Sequence, residues 1–224
     1  MSLRTWFRDN IFTVIKRGTA PIEIRRYLAR HGSPRLNIGS GGNRLSGWLN
    51  VDRFPPPGAT FLDATRRLPF ADRTFDVVLC EHMIEHVAKP DALHLLREIK
   101  RLLRPGGTVR IVTPDLDWFA ARILRPVPAG EPDDAYRAFL AERKGLAHVS
   151  WCDAINMCFY EHSHCYIWSI AELGDAMRQA GLYDLKVTRA GHPHDAVFEG
   201  LEGHPRLIGD LVNSLEAFAI EARG

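Results

Sequence analysis

The chain has 224 residues, 46% of them hydrophobic and 25% charged, which fits one globular domain with a substantial core and is short for two. A formal net charge of +2 provides no bulk attraction to nucleic acid. The apolar stretch Ile11-Phe12-Thr13-Val14-Ile15 is too short for a signal-peptide core or a membrane span. Without a secretory signal, the four cysteines Cys80, Cys152, Cys158 and Cys165 read as reduced thiols of a cytoplasmic protein.

From the N-terminus, Leu3, Phe7, Ile11, Val14 and Ile15 recur on one face of a helix over 3–17, which Gly18 stops. Pro21 opens a second helix to about Arg30, capped by Gly32. Together they form a helical cap over 1–33. The first 45 residues are basic, with Arg4, Arg8, Lys16, Arg17, Arg25, Arg26, Arg30, Arg35 and Arg44 against Asp9 and Glu23. Such a segment meets phosphates, anionic lipid or an acidic partner, or is simply a solvated face. Membrane contact through this cap and a homodimer are both open readings.

Short strands follow at 35–39, at 48–51 ending in Asp52, at 60–62 ending in Asp63, and at 75–80, where Val77, Val78 and Leu79 run consecutively as in a strand covered on both faces. A helix over 91–104 buries Ala92, Leu95, Leu96, Ile99, Leu102 and Leu103 and is broken by Pro105-Gly106-Gly107. A fifth strand lies at 108–113. The stretch 115–168 is less regular, with Pro126, Pro128, Gly130 and Pro132 followed by a segment rich in His, Cys and aromatics. It reads as an insertion over the active face. A helix at 170–180 and strands near 182–188 and 215–222 complete the chain. The alternation defines an α/β fold with a parallel sheet.

Between the first two strands lies Asn37-Ile38-Gly39-Ser40-Gly41-Gly42. Glycines after a strand allow a tight turn and close approach of a ligand to the main chain, and the N-terminus of a following helix favours anions. Asp52, thirteen residues after Gly39, ends the next strand, where a carboxylate accepts from ribose hydroxyls. Asp63 ends the third and can accept from an adenine amino group. A dinucleotide fingerprint wants G-x-G-x-x-G and an acid about 20 residues on; here the glycine spacing differs and the acid comes sooner.

These residues, with Gly47-Trp48-Leu49-Asn50-Val51-Asp52, Leu68-Pro69-Phe70, Phe75-Asp76-Val77-Val78, Glu85-His86-Val87 and Leu103-Arg104-Pro105-Gly106-Gly107 in order, resemble the class I S-adenosylmethionine-dependent methyltransferases. Within them, the small bacterial methyltransferases found with polysaccharide and secondary-metabolite genes are most similar. The match runs from about Arg35 to Asp115 and resumes loosely near 164–181 and 214–222. It implies one domain over 1–224: a Rossmann-like open sheet of about seven mostly parallel strands with an antiparallel final strand, helices on both faces, and a lid-like insertion. It puts Gly39 and Gly41 at the methionine part of S-adenosyl-L-methionine, Asp52 on the ribose, Asp63 with the Ala64 backbone on the adenine, and His82 near the sulfonium. Asn37, Ser40, Arg53 and Glu81 complete the expected cofactor shell. Asn37 stands where many class I enzymes carry Asp or Glu.

Methyl transfer from a sulfonium needs positioning and desolvation, and a base only where the nucleophile must lose a proton. After the fourth strand, His82-x-x-Glu85-His86 occupies a position where other methyltransferases carry the metal-holding pattern E-x-x-E-H. A metal is geometrically conceivable, but hydrogen bonding by Glu85 and His86 is the simpler reading, and no metal is expected. His148, Cys152, Cys158, His162, His164 and Cys165 lack zinc-knuckle spacing. His164, before Cys165-Tyr166-Ile167-Trp168, resembles a family segment over the substrate and is the expected general base. His82 is the second catalytic candidate. The acceptor is expected to meet His86, Trp118, His148, Trp151, Tyr160 and His164, although aromatics such as Trp118 and Trp151 also suit lid packing. The leading reading is O-methylation of a small molecule, a sugar or secondary metabolite. The alternatives are a nicotinamide-dependent oxidoreductase and a non-catalytic cofactor- or partner-binding protein.

Overall fold

A computed structural model describes residues 3–125, 128 and 130–224, with side chains from residue 13 onward except Asp133; Leu3, Phe7 and Ile11 of the expected helical stripe, the nearby charges Arg4, Arg8 and Asp9, and Pro126 of the insertion therefore lie outside the described side chains. The strands are β1 (Arg35–Ile38), β2 (Leu49–Asp52), β3 (Thr60–Phe61), β4 (Phe75–Glu81), β5 (Leu103–Pro114), β6 (Tyr183–Arg189) and β7 (Ala217–Arg223). They form one sheet in the order β3-β2-β1-β4-β5-β7-β6. The first five run parallel, and β7 is antiparallel to both its neighbours. The winding reverses between β1 and β4, where Ile38 stands beside both Val51 and Cys80. In an open α/β sheet, the carboxyl ends at such a reversal leave a crevice for ligands.

One face of the sheet presents Leu36, Ile38, Val78, Cys80, Val109 and Ile111 to the main core. It is covered by α2 (Lys89–Leu102), α6 (Ile170–Gln179) and the Ile24 face of α1 (Leu3–Arg30). The buried stripe of α2 is the expected one, although Leu103 passes straight into β5. The opposite face packs Val77 and Leu79 against Trp48 and Phe198. It also buries Arg110, whose guanidinium donates to Glu202 at 2.7 Å and Glu221 at 2.6 Å. A buried charge of this kind is tolerated because its donors are met.

The N-terminal segment differs from expectation. Instead of two helices broken at Gly18, α1 runs without interruption through Gly18 and Pro21. A proline inside a helix removes one backbone donor. Here Glu23 bridges the junction, accepting from Lys16 Nζ at 3.0 Å, Thr19 Oγ1 at 2.7 Å and, from β3, Thr60 Oγ1 at 2.8 Å. No helix among the described residues is long and apolar enough to cross a membrane.

The insertion is more regular than its composition suggested. It contains α3 (Leu116–Leu124), α4 (Ala135–Lys144) and α5 (Trp151–Tyr160), which pack with α8 (Asp210–Glu216) around Trp118, Phe119, Tyr136, Leu140 and Trp151. A short α7 (Pro205–Ile208) precedes α8. Pro128 and Pro132, two of the prolines that made the stretch look irregular, sit between α3 and α4. Asp115 N–H donates to Glu216 O at 2.9 Å and Leu116 N–H to Trp168 O at 3.1 Å, fastening these helices to the sheet.

Candidate active site

The turn after β1 is shaped by steric clearance. Gly39 has φ +69° and Gly41 φ +45°, the left-handed region that disfavours a side chain. A Cβ on Gly39 would lie 2.2 Å from Met83 Cγ. No helix follows, contrary to expectation: residues 39–48 form turns, and Leu49 already begins β2. Several amides of the turn are engaged within the chain, Ser40 N–H with Val51 O at 3.0 Å and Gly41 N–H with Asp52 Oδ2 at 2.9 Å. The buried Ser40 hydroxyl has no partner. Asn37 donates both amide hydrogens, to Asn50 Oδ1 at 3.0 Å and Asn43 O at 2.8 Å. It therefore holds the loop through its amide group.

Two cavities meet at Gly39, Gly41 and His82. One, of about 410 Å³, is walled by Asp52, Arg53, Asp63, Ala64, Met83 and His86 among others. The other, of about 290 Å³, lies against Asn37, Ser40, Asn43, Glu81, His204 and Arg206. Every expected cofactor residue thus lines one or both. A third, of about 710 Å³, runs between α1 and the 61–69 segment, flanked by Arg17, Arg25, Arg66 and Arg67.

The carboxylates have measurable spare capacity, since each ionised oxygen offers about two acceptor sites. Asp52 accepts Gly41 N–H on Oδ2 and Phe54 N–H at 2.7 Å on Oδ1, leaving a lone pair on each oxygen. Asp63 Oδ1 accepts from both the Thr65 amide and its hydroxyl, and Oδ2 from Arg66 Nε at 3.3 Å, leaving one. Burial pushes the Asp63 carboxyl up, but the Thr65 hydrogen bonds and the Arg53 charge outweigh it and hold it below the usual range. Glu81 differs. It is met by the amides of Gly203 and His204 at 2.8 Å each and by Asn43 Nδ2 at 3.0 Å. It clamps β4 to the 203–204 loop while lining the 290 Å³ cavity.

His82 sits just past β4 with φ +44°, a backbone costing about 1–3 kcal/mol for a residue other than glycine. Its Nδ1 lies 3.2 Å from Glu85 Oε1, and its buried Nε2 has no partner. Burial alone would lower the imidazole, but the hydrogen bond and charge of Glu85, with Glu216 and Glu81 nearby, raise it to about 9. Glu85 is fully buried, accepts from Thr113 Oγ1 at 3.0 Å, and through its carbonyl takes the amides of Cys165 and Tyr166.

That pairing brings the 163–166 segment to the site. His164 packs edge-on against His86 at 4.7 Å, and its buried Nδ1 has no partner. Burial, with the neighbouring His86 charge, holds its imidazole below the ordinary value despite Glu85.

Other expected acceptor contacts lie elsewhere. Trp118 and Trp151 are buried in the lid core, edge-to-face at 5.4 Å. His148 is exposed, and Tyr160 is 79% exposed at the end of α5. Neither these four nor His164 lines either of the two cavities; His86 and Ser163, which adjoin His164, line the 410 Å³ one. The sequence reading missed Phe54, Met83, His204 and Arg206 as lining residues, and Glu216 behind His204. Phe54 and Met83 adjoin Arg53 and His82 in the sequence, a signal that could have found them. All four cysteines are free thiols.

Two groups among the described residues bring three ligand atoms within 4.8 Å of one another: Glu85, His86 and His164, and His82, His204 and Glu216.

A family profile described as a methyltransferase domain matches residues 5–187, and the chain belongs to that family. It is 40% identical over 83 residues to the 27-O-demethylrifamycin SV methyltransferase of Amycolatopsis mediterranei (strain S699), covering 37% of this chain and 27% of that protein. Over 50 residues it is 44% identical to an uncharacterized protein of Methanocaldococcus jannaschii, 22% of this chain and 21% of that one. The matched segments span about a quarter of the length of these curated relatives. A SAM-dependent methyltransferase from Archaeoglobus fulgidus shares the fold over 100% of both chains, with a TM-score of 0.51 at 15% identity. Sheet order, crevice and family thus agree on the fold of S-adenosylmethionine-dependent methyltransferases.

Proposed function

We propose that the protein transfers a methyl group from S-adenosylmethionine to a hydroxyl of a small molecule, a sugar or secondary metabolite. The observation that carries this is the paired cavity at the sheet reversal, with Gly39 cleared against Met83 and the spare lone pairs of Asp52 and Asp63 facing it. The orphaned Ser40 hydroxyl adds a polar group that a ligand would satisfy. S-adenosylmethionine, when bound, supplies an electrophilic methyl carbon on a sulfonium whose leaving group is a neutral thioether.

The residues divide the work. Two lone pairs on Asp52 suit a ribose diol, and one on Asp63 suits a single amino hydrogen. Met83 and Val87 give the 410 Å³ cavity an apolar wall that excludes water from the reacting groups. His164 has an unused nitrogen and is neutral at neutral pH, as a base for a hydroxyl proton must be. The rifamycin relative, whose name is that of an O-methyltransferase, supports oxygen as the methyl acceptor.

The test is calorimetry with S-adenosylhomocysteine and with NAD, followed by a screen of hydroxylated acceptors with methyl-labelled cofactor. Binding of the first ligand alone, and label found in an ether, is the expected result. No affinity for S-adenosylhomocysteine would overturn the proposal, and binding of NAD instead would favour an oxidoreductase.

A further inference from the structure

We propose that His82, His204 and Glu216 form a binding site for a divalent first-row transition-metal ion at the wall of the 290 Å³ cavity. The three residues come from the end of β4, the loop before α7, and the last position of α8. Two imidazoles and a carboxylate are a set that zinc, manganese, iron and cobalt accept. His204 Nε2 stands 3.5 Å from Glu216 Oε1, and all three ligand atoms lie within 4.8 Å of each other. Bonds of about 2.0–2.1 Å to a tetrahedral ion separate neighbouring ligands by about 3.3 Å, which the His204–Glu216 pair nearly meets at 3.5 Å and to which His82 must close from within 4.8 Å.

Three further observations support an ion here. His82 Nε2 is buried and has no hydrogen-bond partner, although a buried polar nitrogen normally has one. Its other nitrogen is met by the buried Glu85 carboxylate, which in turn accepts from Thr113. A carboxylate behind a ligating imidazole orients the ring and strengthens it as a ligand. Finally, Glu216 is a buried carboxylate beside two stacked histidine rings, with His82 and His204 centroids 3.9 Å apart. Glu81, Glu85 and Glu216 together place three negative charges around this pair, more than a divalent ion neutralises.

His82 and His204 both line the cavity, so an open coordination position faces it and takes an oxygen ligand. The ion's role rests on the methyl-transfer reading, whereas the site itself does not. In that role the ion held by His82, His204 and Glu216 would make the hydroxyl of an acceptor beside it more acidic. Its proton passes to the general base, the new C–O bond forms as the S–C bond breaks, and S-adenosylhomocysteine leaves.

The experiment uses the full chain, stripped with a chelator and titrated with Co(II) alone, without cofactor or acceptor. We expect about one equivalent to bind with the visible absorption of a low-coordinate site. His204→Gln and Glu216→Gln should each weaken binding at least tenfold, whereas His164→Gln should not. Circular dichroism and S-adenosylhomocysteine affinity check that each variant folds; should one fail, the other decides. Should both fail to fold, Co(II) binding lost in a folded His82→Gln supports the site, and binding unchanged there overturns it. The proposal is overturned if the wild type binds no Co(II). It is equally overturned if folded His204→Gln and Glu216→Gln bind it as the wild type does, or if His164→Gln abolishes binding and so moves the ion to the Glu85–His86–His164 group. Normal S-adenosylhomocysteine affinity with no Co(II) uptake would sink the ion and leave methyl transfer standing; the reverse result would do the opposite.

Discussion

Gly39 and Met83 approach so closely that no side chain fits between them: a Cβ on Gly39 would be 2.2 Å from Met83 Cγ and 2.5 Å from its Cβ. The contact ties the end of β1 to the segment after β4, on either side of the sheet reversal. Gly39→Ala adds both this overlap and a left-handed backbone. Overpacking of this kind costs about 1–3 kcal/mol, so urea unfolding should show a lower midpoint. S-adenosylhomocysteine affinity should fall with it, because the displaced Met83 belongs to the cavity wall. A variant with wild-type stability and affinity would show that the turn is not a steric device.

Asp52→Ala removes the acceptors assigned to the ribose and also the partner of the Gly41 amide. Cofactor affinity should fall by about 1–3 kcal/mol by calorimetry. Asp52→Asn, which keeps one oxygen, should fall between the two. Unchanged binding in both would remove Asp52 from the site.

His164→Ala should bind S-adenosylhomocysteine normally and turn over about 10²–10⁴-fold more slowly. The base must be neutral to act, and its imidazole is held below the ordinary 6.5 by burial. Wild-type turnover should therefore rise with pH to a plateau reached near or below neutrality. That rise should vanish in the residual activity of the variant. An identical pH profile in both proteins would mean that another group takes the proton.

Glu98 supplies the clearest acid-sensitive contact outside the site. Its carboxylate accepts from Arg101 at 2.7 and 2.8 Å and from the Leu68 amide at 2.7 Å. Arg101 above all, against the effect of burial, lowers its folded pKa from 4.5 to about 2. The stabilisation is thus fully present above about pH 4.5 and is lost as pH falls toward 2. Thermal melts across that window should show a steeper decline for the wild type than for Glu98→Gln, and parallel curves would contradict the assignment.

The strands and their carboxylates were legible because the signals are local: Asp52 ends β2, and Asp63 follows β3, which stops at Phe61, one residue earlier than the expected 60–62. The uninterrupted α1 was not, because Gly18 and Pro21 act locally whereas Glu23 reaches Lys16, Thr19 and the distant Thr60. Trp118 and Trp151 looked available for a ligand only until Tyr136 and each other were brought against them. His204 carried no signal, and Glu216 fell inside the stretch read as the last strand, 215–222, with nothing to mark it as a ligand. Both follow His82 by more than a hundred positions and become its neighbours only through the fold of α7 and α8.

The lid core draws on two stretches of chain, α3–α5 and α8, and α8 continues without a break into β7 at the centre of the antiparallel half of the sheet. Roof and floor are therefore one mechanical piece. A chimaera that exchanges only residues 116–160 with a relative would confront the new helices with the old Val212 and Leu215. Keeping that packing intact in a graft would require moving 205–216 as well, and with it His204's partner Glu216.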